Sequence, residues 1–225
     1  STSFASGLGG PAMAISGVPN LSAHTGLAGS EPLPTVGAAD FTGVVPRYTP
    51  TTQTQVRALV NIPTGTPSGT VLLRAKFSGG SYERAEVQYL GGDLALNMYA
   101  VGGGTSSMAM TFLEEGLDVR ISMEFTQVGA DLTTDLQEAW YASGVPTTGT
   151  QTDTIPGVSI GRVTTVEVNP TNAATGDLAV GHVTVDDTIT ALFDLLTEMP
   201  GHANEYADLR IERLATENGL VVATE

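Results

Sequence analysis

Hydrophobic and polar residues alternate along most of this chain, so that each short run has one apolar side and one wet side. Residues 53–62 (QTQVRALVNI) place Val56, Ala58, Val60 and Ile62 on one side and Gln55, Arg57, Leu59 and Asn61 on the other. Residues 117–126 (LDVRISMEFT) repeat the pattern with Val119, Ile121, Met123 and Phe125. The pattern predicts further strands over residues 11–16, 41–48, 70–77, 84–90, 94–101, 131–141, 163–168 and 178–185, and a short one at 108–112. Turn chemistry separates them: Ser78-Gly79-Gly80-Ser81, Gly91-Gly92-Asp93, the run at 102–104, and Asn169-Pro170 with Gly176. Pro46 marks its run as an edge strand or a bulge.

Near the C-terminus the period changes. Ile189, Leu192, Phe193 and Leu196 recur at helical spacing, with Asp187 as N-cap. Met199-Pro200-Gly201 breaks that helix. A second is expected over residues 202–218, with Ala207, Ile211 and Leu214 as its apolar stripe and Gly219 just past its end. Residues 17–39, rich in Gly, Pro, Ser and Ala, read as a long loop, and the Thr-rich residues 147–154 as a surface loop. Helices come only at the end, and no strand–helix–strand alternation appears. The expected fold is therefore all-β, a two-sheet antiparallel jelly-roll sandwich with one or two C-terminal helices. It would occupy residues 1–200, including the loop-rich N-terminal segment. Residues 201–225 would be a helix and an apolar strand leading into a following domain.

Composition narrows the partners. The formal net charge is −15, with nine Lys plus Arg in 225 residues. Such a surface repels phosphate backbones and anionic lipid, so neither nucleic acid nor membrane insertion is expected. The chain has no cysteine, which removes disulfides, thiol nucleophiles and Cys-based zinc sites. No run approaches the length of a membrane span.

Candidate chemistry is sparse. His24, His182 and His202 have no ligand spacing between them, and a hydrogen-bonded structural role is the simpler reading of His182 in its strand. Sandwich glycosidases carry two carboxylates on one strand face, flanking the scissile bond, in the pattern E-x-D-x-x-E or E-x-D-x-E. Neither pattern occurs. The close acidic pairs are Glu83 with Glu86, Glu114 with Glu115, and Asp186 with Asp187. The first falls on opposite faces of a regular strand, and the others read as solvated turn or cap residues. No catalysis is expected. Trp140 and Tyr141 form the most aromatic spot. A flat apolar ring matches the CH face of a pyranose, so these two are the candidate carbohydrate-binding residues. The competing reading puts Trp140 in the core and Tyr141 in water.

Two resemblances bear on function. The order IGR, strand, turn, strand ending in Asp186-Asp187, short helix resembles the last part of a laminin-G-like, concanavalin-like jelly roll. The segments VGHVTVDD, LFDLL and GHANEYADLRIERLATENGL resemble minor tail proteins of actinobacterial phages and prophages, a match running from about residue 6 onwards. The first implies a calcium ion at the loop rim, for which Asp93, Asp131, Asp153 and Asp177 lie at turns, although they form no D-x-D-x-D cluster. The second implies a non-enzymatic structural component of a virion tail or baseplate, with other tail subunits as partners, a homo-oligomeric state and a host-adhesion role. The alternative is a lectin-like module facing cell-surface glycans.

Overall fold

The structure, a computed structural model, describes residues 52–142, 145–170, 179–186 and 189, with short strands at 4–6, 14–16 and 41–44. In chain order the strands are β1 (Phe4–Ser6), β2 (Ala14–Ser16), β3 (Phe41–Val44), β4 (Gln53–Asn61), β5 (Thr70–Ser78), β6 (Tyr82–Tyr89) and β7 (Asp93–Ala100). They continue with β8 (Thr105–Thr111), β9 (Asp118–Val128), β10 (Asp131–Ala142), β11 (Val145–Ile155), β12 (Arg162–Val168) and β13 (Ala179–Asp186). One sheet has the order β1-β13-β4-β9-β10-β11 and the other β2-β3-β12-β5-β6-β7-β8. All pairings are antiparallel except β1 with β13. The all-β, two-sheet sandwich expected from the alternation is the fold observed. The two C-terminal helices, and the boundary placed after residue 200, lie outside the described residues.

The core fills the space between the sheets. Val56, Ala58, Val60 and Ile62 meet Val119, Ile121, Met123 and Phe125 from the same sheet, and Ala85, Val87, Leu94, Leu96 and Met98 from the other. Phe77 packs edge-on to Phe125, and Tyr89 edge-on to Phe112. The alternation slips where β5 and β12 carry bulges, between Val71 and Leu73 and between Val163 and Thr165. The first bulge lets the consecutive Leu72 and Leu73 both reach the core, which a regular strand forbids. At the end of β12, Asn169 takes a positive φ of 46° and donates its N–H to Leu72 O at 3.1 Å.

Several expectations need correction. Residues 147–154 are not a loop but most of β11, paired with β10 in unbroken register from Leu132↔Ile155 to Ala142↔Val145. An edge strand can dispense with an apolar stripe, and β-branched threonine suits the extended backbone. The polar side of β4 is not wet: Gln55, Arg57 and Asn61 are buried, as are Arg120, Ser122 and Glu124 on the same side of β9. Gln55 Nε2 donates to Glu124 Oε1 at 2.7 Å, and Gln137 Nε2 to its Oε2 at 2.8 Å. Burial raises the Glu124 pKa and a nearby Asp135 adds to the rise, while Gln55 and Ser122 hold it back. Glu114 and Asp186 are buried rather than solvated, and Asp186 lies 3.6 Å from Arg57 Nε.

The outward face of the seven-stranded sheet carries a charge ladder set by register. One row runs Glu167↔Arg74↔Glu86↔Asn97↔Ser107 and the next Thr165↔Lys76↔Arg84↔Tyr99↔Thr105. Arg74 donates to Glu86 at 2.6 Å and to Glu167 at 2.9 Å, and Lys76 to Glu167 at 2.5 Å. Arg84 pairs with Glu83 and Glu86 and lies over the Tyr99 ring. Burial alone would raise the pKa values of Glu86 and Glu167, but their bonds to Arg74, and to Arg84 or Lys76, hold both below the usual carboxylate value.

Candidate functional site

At one end of the sandwich four separate segments enclose an open depression of about 400 Å³. They are Thr52 before β4, Ser81 after the β5–β6 turn, Gly129-Ala130 between β9 and β10, and residues 157–160 between β11 and β12. Gln127 fastens them. Its Nε2 donates to Val158 O at 2.9 Å, Asp131 O at 3.1 Å and Gly129 O at 3.3 Å, and its Oε1 accepts from Ile160 N at 3.3 Å. Its backbone N–H donates to Thr52 O at 2.7 Å.

Two backbones touch behind the depression. A Cβ on Gly161 would stand 2.0 Å from Gly79 O, and one on Gly80 would stand 2.5 Å from Gly161 N. Only glycine permits that approach, and Gly80 also has a φ of +77°. Ser81 N donates to Ser159 O at 2.8 Å, and Ser159 N returns a bond to Ser81 Oγ at 3.0 Å. The rim is thus fixed by the chain itself.

What it presents is uncharged. Ser81 Oγ accepts a bond but keeps its own hydrogen to donate, and the hydroxyls of Thr52 and Ser159 have no partner among the described residues. Val158 and Ile160 contribute apolar surface, and Val101 and Val128 stand exposed at the same end. The volume sits near the low end of the roughly 300–1,000 Å³ range of small-molecule sites.

The residues singled out from sequence lie elsewhere. Trp140 is near the far end of β10, roughly 30 Å from the depression at about 3.3 Å per residue. Its ring is half-buried and packs against the core. Tyr141 occupies the next position on β10, and its side chain lies outside the described residues. Trp140 and Tyr141 are therefore not part of the depression. Of the four aspartates, Asp93 opens β7 at the end near Trp140, Asp131 sits by the depression, and Asp153 lies along β11 facing Tyr82. Asp177 falls outside the described residues. No three His, Asp or Glu side chains converge to hold a metal among the described residues. The strand of His182 is β13, its side chain again outside the described residues, as are His24 and His202.

Sequence reasoning missed the depression because turn backbones build it. The residue signals were Gly79-Gly80, which read only as a turn, and Gly161, which read only as part of the IGR run before the next strand.

No family model matches the chain, and no curated protein matches it. Solved structures do. The receptor-binding domain of the botulinum neurotoxin C/D mosaic serotype superposes with a TM-score of 0.54 at 7% identity, covering 82% of this chain and 45% of that one. The botulinum neurotoxin serotype D ligand-binding domain in complex with N-acetylneuraminic acid gives 0.52 at 7%, covering 80% and 44%. The serotype G binding domain gives 0.52 at 9%, covering 83% and 46%. The chain spans about half the length of these structures. At such identities the likeness defines the class by fold: a two-sheet β-sandwich of the kind found in those binding domains.

Proposed function

We propose that this sandwich is a non-catalytic, lectin-like binding domain that takes a neutral cell-surface glycan in the loop-rim depression. The observation that carries this reading is the lining: hydroxyls with hydrogens to donate, small apolar patches and no charged side chain, on a rim that needs no reorganisation to bind. Sugars offer the complementary surface, alternating hydroxyls with CH faces. The acidic chain favours uncharged glycans over anionic ones. Support from the solved structures is limited to fold, and the bound N-acetylneuraminic acid belongs to the serotype D domain.

A glycan array and calorimetry on cell-wall polysaccharide test this. Ala130→Trp fills the depression from an exposed turn and should reduce binding at least about tenfold, as loss of a small-ligand site does. Tyr141→Ala should leave binding unchanged. The reverse pattern would move the site to Trp140 and Tyr141, and no binding by the native protein removes the reading.

A second setting is favoured by the resemblance at residues 180–187, 192–196 and 201–220: the same domain as part of a virion tail or baseplate, adhering to the host beside other tail subunits. Mass spectrometry of purified virions tests it, and absence of these peptides ends it.

A further inference from the structure

At the other end of the molecule the edges of the two sheets meet, β8 from one and β11 from the other. Glu138 of β10 points into this seam, between Leu136 and Trp140 on the inward face. It is 2% exposed, and one of its oxygens, Oε2, has no hydrogen-bond partner among the described residues. A Cβ built on Gly149 of β11 would meet Met110 Cε at 2.8 Å and Glu138 Oε1 at 2.9 Å, so β8, β10 and β11 close on one point. The carboxyl that faces Glu138 there is Glu114, from the β8–β9 connection, itself 8% exposed and hydrogen-bonded to Glu138. Glu114 Oε2 already accepts the Leu113 N–H at 2.9 Å. With one proton between the two carboxyls, Glu138 can donate to Glu114.

Among the described residues no cation answers the pair. Across β9 the inward residues are Val119 and Ile121, and Arg120 between them projects from the opposite face. Towards the pair β11 offers Thr147, Gly149 and Gln151, β8 offers Met108 and Met110, and β7 offers Leu94 and Leu96. The remaining acids on these elements are Glu115, partly exposed beside Glu114; Asp93 at the start of β7, Asp118 at the start of β9, Asp131 at the start of β10 and Asp153 opposite Thr134, all set away from the pair; and Glu124 and Asp135, paired with each other on the opposite face of β9 and β10. Burial, and then Glu114, push the Glu138 carboxyl up to about 8.

We infer that the Glu138–Glu114 pair is a proton latch: one shared proton keeps the β8 and β11 edges closed, and its loss opens that seam while the rest of the sandwich stays folded. Two facing carboxylates with no cation beside them among the described residues repel each other, and the two edges are joined to one another by no ladder pairing among the described residues. The seam is thus the place where the repulsion is relieved.

Hydrogen exchange measured by mass spectrometry, corrected for the intrinsic pH dependence of exchange, reads this directly. Between about pH 6 and about pH 9.5, segments 105–111 and 145–151 should lose at least about tenfold in protection, while 119–125 keeps theirs. The sole tryptophan, Trp140, stands two residues from Glu138, so its emission should shift with a midpoint near 8. Glu138→Gln keeps a donor to Glu114 without a proton to lose, and should hold the seam closed across the range. Should that variant not fold, Glu114→Gln removes the repulsion from the other side and should reduce the loss. Equal loss in wild type and variant, or a native emission and exchange pattern flat across the range, overturns the inference.

Discussion

Arg74 shows how one side chain sets the local balance. Among the described residues it is the only bridge between Glu86, which is 3% exposed, and Glu167, and the two bonds outweigh the cost of burying its charge. Arg74→Met leaves Glu86 with Arg84, Gln88 and Tyr99. We expect a loss of about 2–3 kcal/mol, because a buried carboxylate is left short of donors. A urea midpoint series reads it, and a midpoint unmoved from wild type contradicts it. Gly161→Ala is expected to be harsher, about 3 kcal/mol or more, since its methyl has nowhere to go against Gly79 O. It should also weaken ligand binding, because residues 157–160 carry one wall of the depression. A Gly161→Ala protein of native melting temperature would show that the backbones can part at little cost.

Strand by strand, the sequence spoke clearly where a strand is a regular member of one sheet. In β4 and β9 the apolar members of one alternating set, Val56, Ala58 and Val60 and then Val119, Ile121, Met123 and Phe125, are all in the core. It misled where the physical demand differed. β11 has nothing to bury on either side at 150–152, so its threonines carried no period. The outer face of β4 and β9 is polar by sequence yet buried, and a two-residue repeat carries no mark of that burial. The loop-rim depression was unreadable because Gln127 acts through carbonyls that every residue possesses.

β11 also shows how its free edge is kept from pairing. The Thr154 N–H is taken by Asp153 Oδ1 at 2.9 Å rather than by β10, so even-numbered residues turn their backbones outward. Pro146 holds one of those positions and has no N–H to offer. Of the outward N–H groups, only those of 148, 150 and 152 are left open. The double variant Pro146→Val, Asp153→Val should therefore self-associate beyond wild type with rising concentration, as light scattering would show. Scattering identical to wild type would place the protection elsewhere.

For the molecule as a whole, two groups of carboxylates pull stability in opposite directions with pH. The Glu138 pKa lies above its free-chain value of 4.5, so what its proton contributes is complete below that value and is lost as pH rises through about 8. Glu86 and Glu167 lie below theirs, so the ladder contributes above 4.5 and fades as acid passes their lowered values. Melting temperature should peak on the acidic side of neutral. Its decline towards alkali should flatten in Glu138→Gln, whereas a profile shared by both proteins would count against this account. With a net charge of −15, added salt should raise the melting temperature at neutral pH by screening self-repulsion.

The strand order has a further consequence for how the chain comes into being. The run from β5 to β8 is a meander whose members pair with their immediate successors. β4 instead lies between β9 and β13, with Val56 beside Met123 and Val185. On a ribosome adding about 5–20 residues per second, roughly 130 residues and on the order of ten seconds separate Val56 from its last neighbour. During that interval one half of a sandwich is finished while the centre of the other has a naked apolar flank. A chaperone that recognises extended valine-rich segments would find its opportunity there, and nowhere later.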